Sequence, residues 1–187
     1  MWEELIKERF PEIVKTKSGK DLVLKLLEPQ DKEALIEYFK KEISDKEISL
    51  LRDNVKDEKV VESWCENINL DRVIPIVGLV DSKIVATGSL HRRDFGWSRF
   101  VGKIRVTVGL SYRNMGIGTK IIEKLIEIGR LLELDSLWAE TFDVQKDAIK
   151  VLEKLGFKSE VSLKKVAIDE NNIPHDLYIF ILRIKNP

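Results

Sequence analysis

The chain has 187 residues, of which 43% are hydrophobic, and its 32 basic and 32 acidic side chains give a formal net charge of zero. This length and composition suit one domain with a substantial core, and the charge balance gives no general argument for a nucleic acid or an anionic membrane as partner. The single cysteine, Cys65, excludes an internal disulfide; together with a charged N-terminus and no long apolar run, it predicts a cytoplasmic protein.

The first part of the chain predicts an N-terminal extension and two helical stretches. Residues 1–20 hold a short amphipathic helix and the start of a hairpin whose strands are 13–16 and 22–27. A helix follows over 29–43, with Asp31 as its N-cap. A second helical stretch spans 45–68 and is broken near 54–57, and in it Cys65 is expected to be a buried hydrophobe.

From Val73 onwards the apolar period changes to two, which is typical of strands. The predicted strands are 73–80, 84–91, 100–108, 136–142, 161–168 and 175–182. Helices are predicted at 117–133 and 144–155, and a loop at 92–99. No repeat or linker interrupts the chain, so we expect a mixed α/β single domain over 1–187. The abundance of Lys, Glu and Ile is typical of proteins from very hot environments.

The segment "YRNMGIGTK", residues 112–120, joins a strand to a helix. A helix start exposes unpaired N–H groups, and glycines there let the backbone approach a phosphate. The spacing does not fit a P-loop, because Thr119 and Lys120 stand in the wrong order, or a dinucleotide fingerprint, because position 121 is isoleucine. From spacing alone, both a pyrophosphate cradle and a tight strand-to-helix turn stay open.

The wider segment "VTVGLSYRNMGIGTKIIEKLIEIG" resembles the acyl-CoA-binding segment of the GNAT superfamily of N-acetyltransferases. Arg113, Gly116 and Gly118 match its Arg/Gln-x-x-Gly-x-Gly/Ala motif, and Leu110 replaces a usual proline. The resemblance extends over residues 21–185. It implies one GNAT-like domain with a central, mixed, mostly antiparallel sheet flanked by helices and splayed between the family's strands 4 and 5, here 104–110 and 136–142. Gly109 is expected at a β-bulge.

The resemblance also implies acetyl-CoA as cosubstrate and no metal; His91 and His175 are the only histidines and have no metal-ligating neighbour in the sequence. The backbone of the first strand of the splayed pair would bind pantetheine, and the glycine segment would bind the pyrophosphate. The expected cofactor-binding residues are Val106, Thr107, Val108, Arg113, Asn114, Met115, Gly116, Ile117, Gly118, Thr119 and Gln145.

Acetyl transfer to an amine requires a base that removes the ammonium proton. Several family members use a glutamate at the position of Glu140, which is therefore the first candidate; a carboxylate that only forms ion pairs in the sheet is the alternative. His91 is the second candidate. The sequence departs from the family at Gln145, usually asparagine, and at Leu152, often a tyrosine that protonates the CoA thiolate. Tyr112 and Tyr178 are expected to be structural.

The predicted function is that of an acyltransferase, an acetyl-CoA-dependent N-acetyltransferase that acts on a primary amine of a protein N-terminus, a lysine or a small molecule. A GNAT-like protein that senses acyl-CoA without turnover is the alternative, favoured by Gln145 and Leu152. The basic and aromatic loop at 92–99 predicts a partner surface or dimer contact rather than a nucleic-acid site. A homodimer is expected from the resemblance, and no membrane partner is expected.

Overall fold

The computed structural model describes residues 2–185, so Met1, Asn186 and Pro187 of the predicted 1–187 domain lie outside the described residues. Eight strands form one sheet: β1 (Glu12–Lys15), β2 (Asp21–Leu26), β3 (Val73–Val80), β4 (Lys83–His91), β5 (Val101–Val108), β6 (Ser136–Phe142), β7 (Lys158–Ile168) and β8 (Pro174–Arg183). The helices are α1 (Trp2–Lys7), α2 (Lys32–Glu42), α3 (Asp45–Ile48), α4 (Glu58–Glu66), α5 (Ile117–Leu131) and α6 (Lys146–Lys154). None of the helices within residues 2–185 has the length and apolar character needed to cross a bilayer.

The sheet has the order β1-β2-β3-β4-β5-β6-β8-β7. All neighbours are antiparallel except β5 and β6, which are parallel. The β5–β6 register runs only from Val101 opposite Ser136 to Ile104 opposite Ala139, although both strands continue for several residues. The two strands therefore separate beyond Ile104, and the predicted splayed, mostly antiparallel sheet is confirmed.

The sheet separates two apolar cores. On one face α5 packs its buried Ile121, Leu125 and Ile128 against β3, β4 and β5. The close approach of α5 to β4 requires glycine at position 88, because a Cβ there would lie 2.3 Å from the Ile121 Cγ2. On the other face α2 and α4 pack against β3 and β4 around Leu35, Val61 and the buried Cys65. Strand alternation thus assigns one set of side chains to each core.

The region between α2 and β3 is less helical than predicted. The proposed break at 54–57 extends over residues 49–57, between α3 and α4. Ser44 begins α3 in a capping box with Glu47, and Asp57 caps α4 by accepting the Lys59 amide at 3.0 Å. Val55 is the one buried hydrophobic residue described in residues 49–57. A single buried residue does not form the apolar stripe that a longer helix would need.

The prediction for Asp31 is confirmed in position, because Asp31 is the N-cap residue of α2, although its carboxylate accepts the Glu28 amide at 2.9 Å instead of a helix amide. The prediction for Gly109 was wrong. Gly109 is not in a β-bulge, because its amide donates to the Val85 carbonyl at 2.9 Å and continues the regular β4–β5 register. A Cβ at Gly109 would lie 2.9 Å from the Glu42 carboxylate, so a larger residue here would require the Glu42 side chain to shift.

Candidate active site

The glycine segment forms a concave turn between β5 and α5. After a 3₁₀ turn over Leu110–Tyr112, the chain reaches Gly116, which is the N-cap of α5 and has a φ of +79°. This left-handed conformation favours glycine. It leaves the first amides of α5, at Ile117, Gly118 and Thr119, without partners in the helix and at the positive end of its dipole. The turn has the backbone geometry of an anion cradle.

Charged side chains surround this cradle. Arg113 is exposed and its guanidinium donates to the Glu47 carboxylate of α3. From the β1–β2 turn, the Lys17 amide donates to the Met115 carbonyl at 2.9 Å, and the Lys17 side chain passes 3.2 Å from the position of a Cβ at Gly116. The Lys17 side chain is exposed. The N-terminal extension therefore places an ammonium group beside the cradle, which the sequence analysis missed.

The gap between β5 and β6 continues from the cradle. Val106, Thr107 and Val108 lie on β5 beyond its last pair with β6, so their backbone is paired on the β4 side. A Cβ at Gly118 would contact the Val108 Cγ2 at 3.4 Å, so the cradle and the end of the gap are adjacent. The structure thus brings the predicted cradle and the predicted pantetheine strand together.

The gap opens into a cavity of about 690 Å³ between the sheet and the α2–α4 side. Five of the predicted site residues line the cavity: Val106, Thr107, Glu140, His91 and Gln145. Val108 and the cradle, residues 113–119, are not part of its lining. The cross-strand register places Ser89 opposite Arg105 and His91 opposite Lys103, so these side chains share one face of the sheet, which forms the polar floor.

Glu140 is held by two cations. The Arg52 guanidinium donates to its Oε2 at 2.7 and 3.1 Å, and Lys103 donates to Oε1. Burial alone would raise the pKa of Glu140, but the hydrogen bonds and charges of Lys103 and Arg52 outweigh burial and hold this pKa below its usual value. Glu140 is therefore ionised at neutral pH, and both of its oxygens are engaged.

His91 is a neutral imidazole near Arg105 and Lys103. Its Nε2 lies 2.9 Å from the Ser89 hydroxyl. Burial, followed by the nearby Arg105 charge, lowers the pKa of His91 to about 4. At neutral pH it carries no proton to donate as an imidazolium, and its strength as a base is low.

The model of the family described as "Acetyltransferase (GNAT) family" matches residues 33–157, more than half of the chain. The chain belongs to the acetyltransferase (GNAT) family. The resemblance found in the sequence is confirmed, and so is the predicted class of enzyme, an acyltransferase.

Solved structures with the GNAT fold superpose well on this chain. The proposed acetyltransferase yncA of Salmonella typhimurium, solved with its cofactor acetyl-CoA, is 17% identical, with a TM-score of 0.75 and coverage of 89% of this chain and 95% of that one. The ribosomal-protein-alanine N-acetyltransferase of Brucella melitensis is 21% identical, with a TM-score of 0.73 and coverage of 86% and 98%. The N-acetyltransferase of Staphylococcus aureus Mu50 is 15% identical, with a TM-score of 0.76 and coverage of 88% and 99%. These similarities show the shared fold.

Gln145 and Leu152, two of the positions at which this GNAT chain departs from the family, have structural roles. Gln145 precedes α6, and its Oε1 accepts the Thr141 hydroxyl and the Phe142 amide, both at 2.9 Å. Leu152 is 4% exposed and packs in the α5 core while also lining the cavity. Tyr112 and Tyr178 pack against the same core, as expected.

Tyr38 of α2 is a buried residue that brings a phenol hydroxyl to this face of the sheet. Its hydroxyl lies 2.9 Å from the Thr107 hydroxyl, which lies 2.8 Å from that of Thr87. Burial raises the pKa of Tyr38, so the phenol stays protonated and can donate. The sequence gives no signal for this hydrogen bond, because a tyrosine on the apolar face of a helix is usually a core residue.

Residues 45–57 cross the cavity and are fixed to the rest of the domain by polar contacts. Arg52 reaches Glu140, Asp53 accepts from Arg105 at 3.1 Å, and the Ser49 hydroxyl donates to Glu170 at 2.8 Å. Glu170 lies in the turn between β7 and β8. These contacts join residues 88 and 121 positions apart in the chain, so no local pattern could reveal them.

A second charged cluster fixes the β7–β8 turn next to β6. His175 is buried between Asp143, 3.0 Å from its Nδ1, and Asp169, 3.1 Å from its Nε2. The hydrogen bond with Asp169, supported by that with Asp143, raises the pKa of His175 above its ordinary value. Backbone and side-chain hydrogen bonds, from the Ile173 amide first, lower the pKa of Asp169. The pair is therefore ionised at moderately acidic pH and stabilises the turn that borders the cavity.

Proposed function

We propose that this chain transfers an acetyl group from acetyl-CoA to a primary amine. The observation that supports this most is the separation of β5 from β6 beyond Ile104 and Ala139, because the gap runs from a glycine cradle at the start of α5 into a partly open cavity. A linear cofactor with a pyrophosphate at one position and a reactive thioester at another fits such a path.

The residues of the chain suit acetyl-CoA. The amides of residues 113–119, with Arg113 and Lys17 beside them, would hold the pyrophosphate. The backbone of Val106, Thr107 and Val108 would pair with pantetheine as a neighbouring strand does. When bound, acetyl-CoA supplies an activated acetyl group at the mouth of the gap. Gln145 would contribute to acetyl-CoA binding indirectly, by stabilising the turn before α6.

The acceptor must lose a proton before its nitrogen attacks the thioester carbon. The base takes this first proton from the ammonium group. The N–C bond then forms as the C–S bond breaks, and the departing CoA thiolate takes up the second nitrogen proton, directly or through water, which gives a neutral amide and the CoA thiol. We propose Glu140 as this base, through water, and His91 as the second candidate, because both line the cavity unprotonated at neutral pH. Nearby cations lower the pKa of a bound ammonium group, so a weak base suffices.

Turnover tests this proposal. Acetyl-CoA binding is measured by calorimetry, and release of free thiol is measured on the same preparation with a panel of amines and peptides. Peptides belong in the panel because the Brucella melitensis relative is named for action on a ribosomal-protein alanine. Thiol release that depends on an amine supports transfer. Binding without release across the panel would instead support the sensing alternative, which the apolar Leu152 favours.

We also propose that the chain forms a homodimer. β7 is the edge strand next to β8, and Val161, Leu163, Val166 and Ile168 expose 40%, 42%, 55% and 61% of their surfaces. Exposed edge strands with apolar side chains are sites of association. Sedimentation at micromolar concentration should give the dimer mass, and a monomer mass would contradict this proposal.

A further inference from the structure

The charged lining of the cavity is unbalanced although the whole chain is neutral. The basic side chains are Arg52, Arg72, Lys103 and Arg105, and the acids are Asp53 and Glu140. His91 adds no positive charge at neutral pH, because burial and Arg105 lower its pKa to about 4. Arg72 also pairs at 3.2 Å with Asp94, which does not line the cavity. With that partner counted, the four cations face three acids, so the cavity keeps an excess of one positive charge in a chain with equal numbers of acids and bases.

Two of these cations stand where the reaction would take place. Ile104 and Ala139 form the last β5–β6 pair, so Arg105 and Glu140 are the first residues of each strand at the mouth of the gap. Lys103 lies on the same face as Arg105, two residues away on β5, and contacts Glu140. An acceptor whose amine reaches the mouth of the gap therefore has Arg105 beside it.

The Arg105 guanidinium has N–H donors that form no hydrogen bond within residues 2–185. Its Nη1 donates to the Asp53 Oδ2 at 3.1 Å, and within residues 2–185 its guanidinium has no other hydrogen-bond partner. The side chain is 39% exposed, so the remaining N–H groups are accessible from the cavity. A guanidinium binds a carboxylate through two parallel hydrogen bonds, which is stronger and more directional than a contact with a neutral group.

The cover over the cavity favours a small acceptor. Residues 49–53 line the cavity, and the Ser49–Glu170 hydrogen bond joins this segment to the β7–β8 turn on the opposite side. The Arg52–Glu140 pair makes a second connection across it. A bridged cavity suits a small molecule better than an extended polypeptide.

We propose that the acceptor is a small amine that carries a carboxylate, as an amino acid does, and that Arg105 binds this carboxylate. This inference rests on the proposed transfer function and specifies its substrate class. Diamines and other polycations are disfavoured, because the basic lining repels a second positive charge. Arg105 is in this account the residue that determines acceptor specificity.

The test compares a set of α-amino acids with their own carboxamides, in which a neutral amide replaces the carboxylate; because this change also lowers the pKa of the amine, rates are expressed per unprotonated amine. Diamines and short peptide amides complete the panel, and kcat/KM is obtained from thiol release with saturating acetyl-CoA. We expect the acids to exceed their amides at least tenfold. Amides, diamines or peptide amides that react as fast as the acids would overturn the inference and leave the transfer function intact.

Arg105→Gln should reduce the acid-to-amide ratio towards one without weakening acetyl-CoA binding, and Arg105→Lys should restore part of it. Arg93→Gln, in the exposed loop after β4, is the matched control and should keep the wild-type ratio. Thermal melting checks that each variant is folded. An unchanged ratio in a folded Arg105→Gln protein would overturn the assignment of Arg105.

The two proposals can fail separately. If acetyl-CoA binds but no amine releases thiol, the transfer function fails, and carboxylate recognition is then judged by calorimetry of the same acids and amides with the CoA-saturated chain. Acids that bind more tightly than amides, and lose this advantage in Arg105→Gln, support the inference. No binding of any acid overturns it.

Discussion

Replacing Gly116 with alanine tests whether the turn before α5 holds the pyrophosphate. The backbone at Gly116 has a φ of +79°, and an added Cβ would lie 3.2 Å from the Lys17 Cγ. Left-handed backbone costs an L-residue about 1–2 kcal/mol. In a domain of this size each kcal/mol lowers Tm by roughly 2–4 °C, so we expect a Tm lower by roughly 2–8 °C.

The affinity for acetyl-CoA should fall further than stability alone explains. A Cβ in the concave turn would displace the phosphate from at least one amide, and a charge-assisted hydrogen bond contributes about 1.5–3 kcal/mol, which corresponds to a roughly 10- to 150-fold weaker Kd. Calorimetric titration measures this loss.

Gly156→Ala provides the matched control. Gly156 follows α6 with a φ of +88°, and its added Cβ would contact only Leu182 at 3.5 Å. Both variants should therefore have a similarly lower Tm, while only Gly116→Ala should lose affinity. Equal Tm shifts with unchanged acetyl-CoA affinity in Gly116→Ala would refute the assignment of the cradle.

Three further variants test individual residues. Lys17→Ala should weaken acetyl-CoA binding about two- to fivefold at low salt, whereas Lys15→Ala, which removes an exposed pair with Asp21, should not; equal effects would count against Lys17. Glu140→Gln should lower kcat by about 10²- to 10⁴-fold without changing acetyl-CoA affinity, and unchanged turnover would remove Glu140 as the base. His175 has a folded pKa raised above its ordinary 6.5, so its stabilisation is complete below pH 6.5 and is lost as the pH rises through the raised pKa. His175→Gln should therefore lower Tm more at pH 6 than at pH 9, and a loss independent of pH would contradict this account.

The parts of the fold with strong local patterns could be predicted. Period-two alternation located the β3–β4 hairpin and β5, and the start of α5 at Ile117 follows directly from two glycines after an apolar strand. The splay between β5 and β6 came from family resemblance, because the pattern within either strand does not show where pairing with the other one ends.

The contacts that determine the chemistry could not be predicted, because they join distant parts of the chain. Glu140 was selected for its position in the family, but nothing local indicates that Arg52 and Lys103 bind it and lower its pKa. The same holds for His175, whose partner Asp143 is 32 residues away. Residues 49–57 have no helical apolar period, so only the fold shows that they cross the cavity.

The central claim is that the cradle and the splayed strands together bind acetyl-CoA. Calorimetric titration of the purified full chain with acetyl-CoA tests this claim most directly. The account predicts saturable binding of one acetyl-CoA per chain that free CoA competes for. No detectable binding would contradict it, and would leave the segment over residues 112–120 as a tight turn between a strand and a helix.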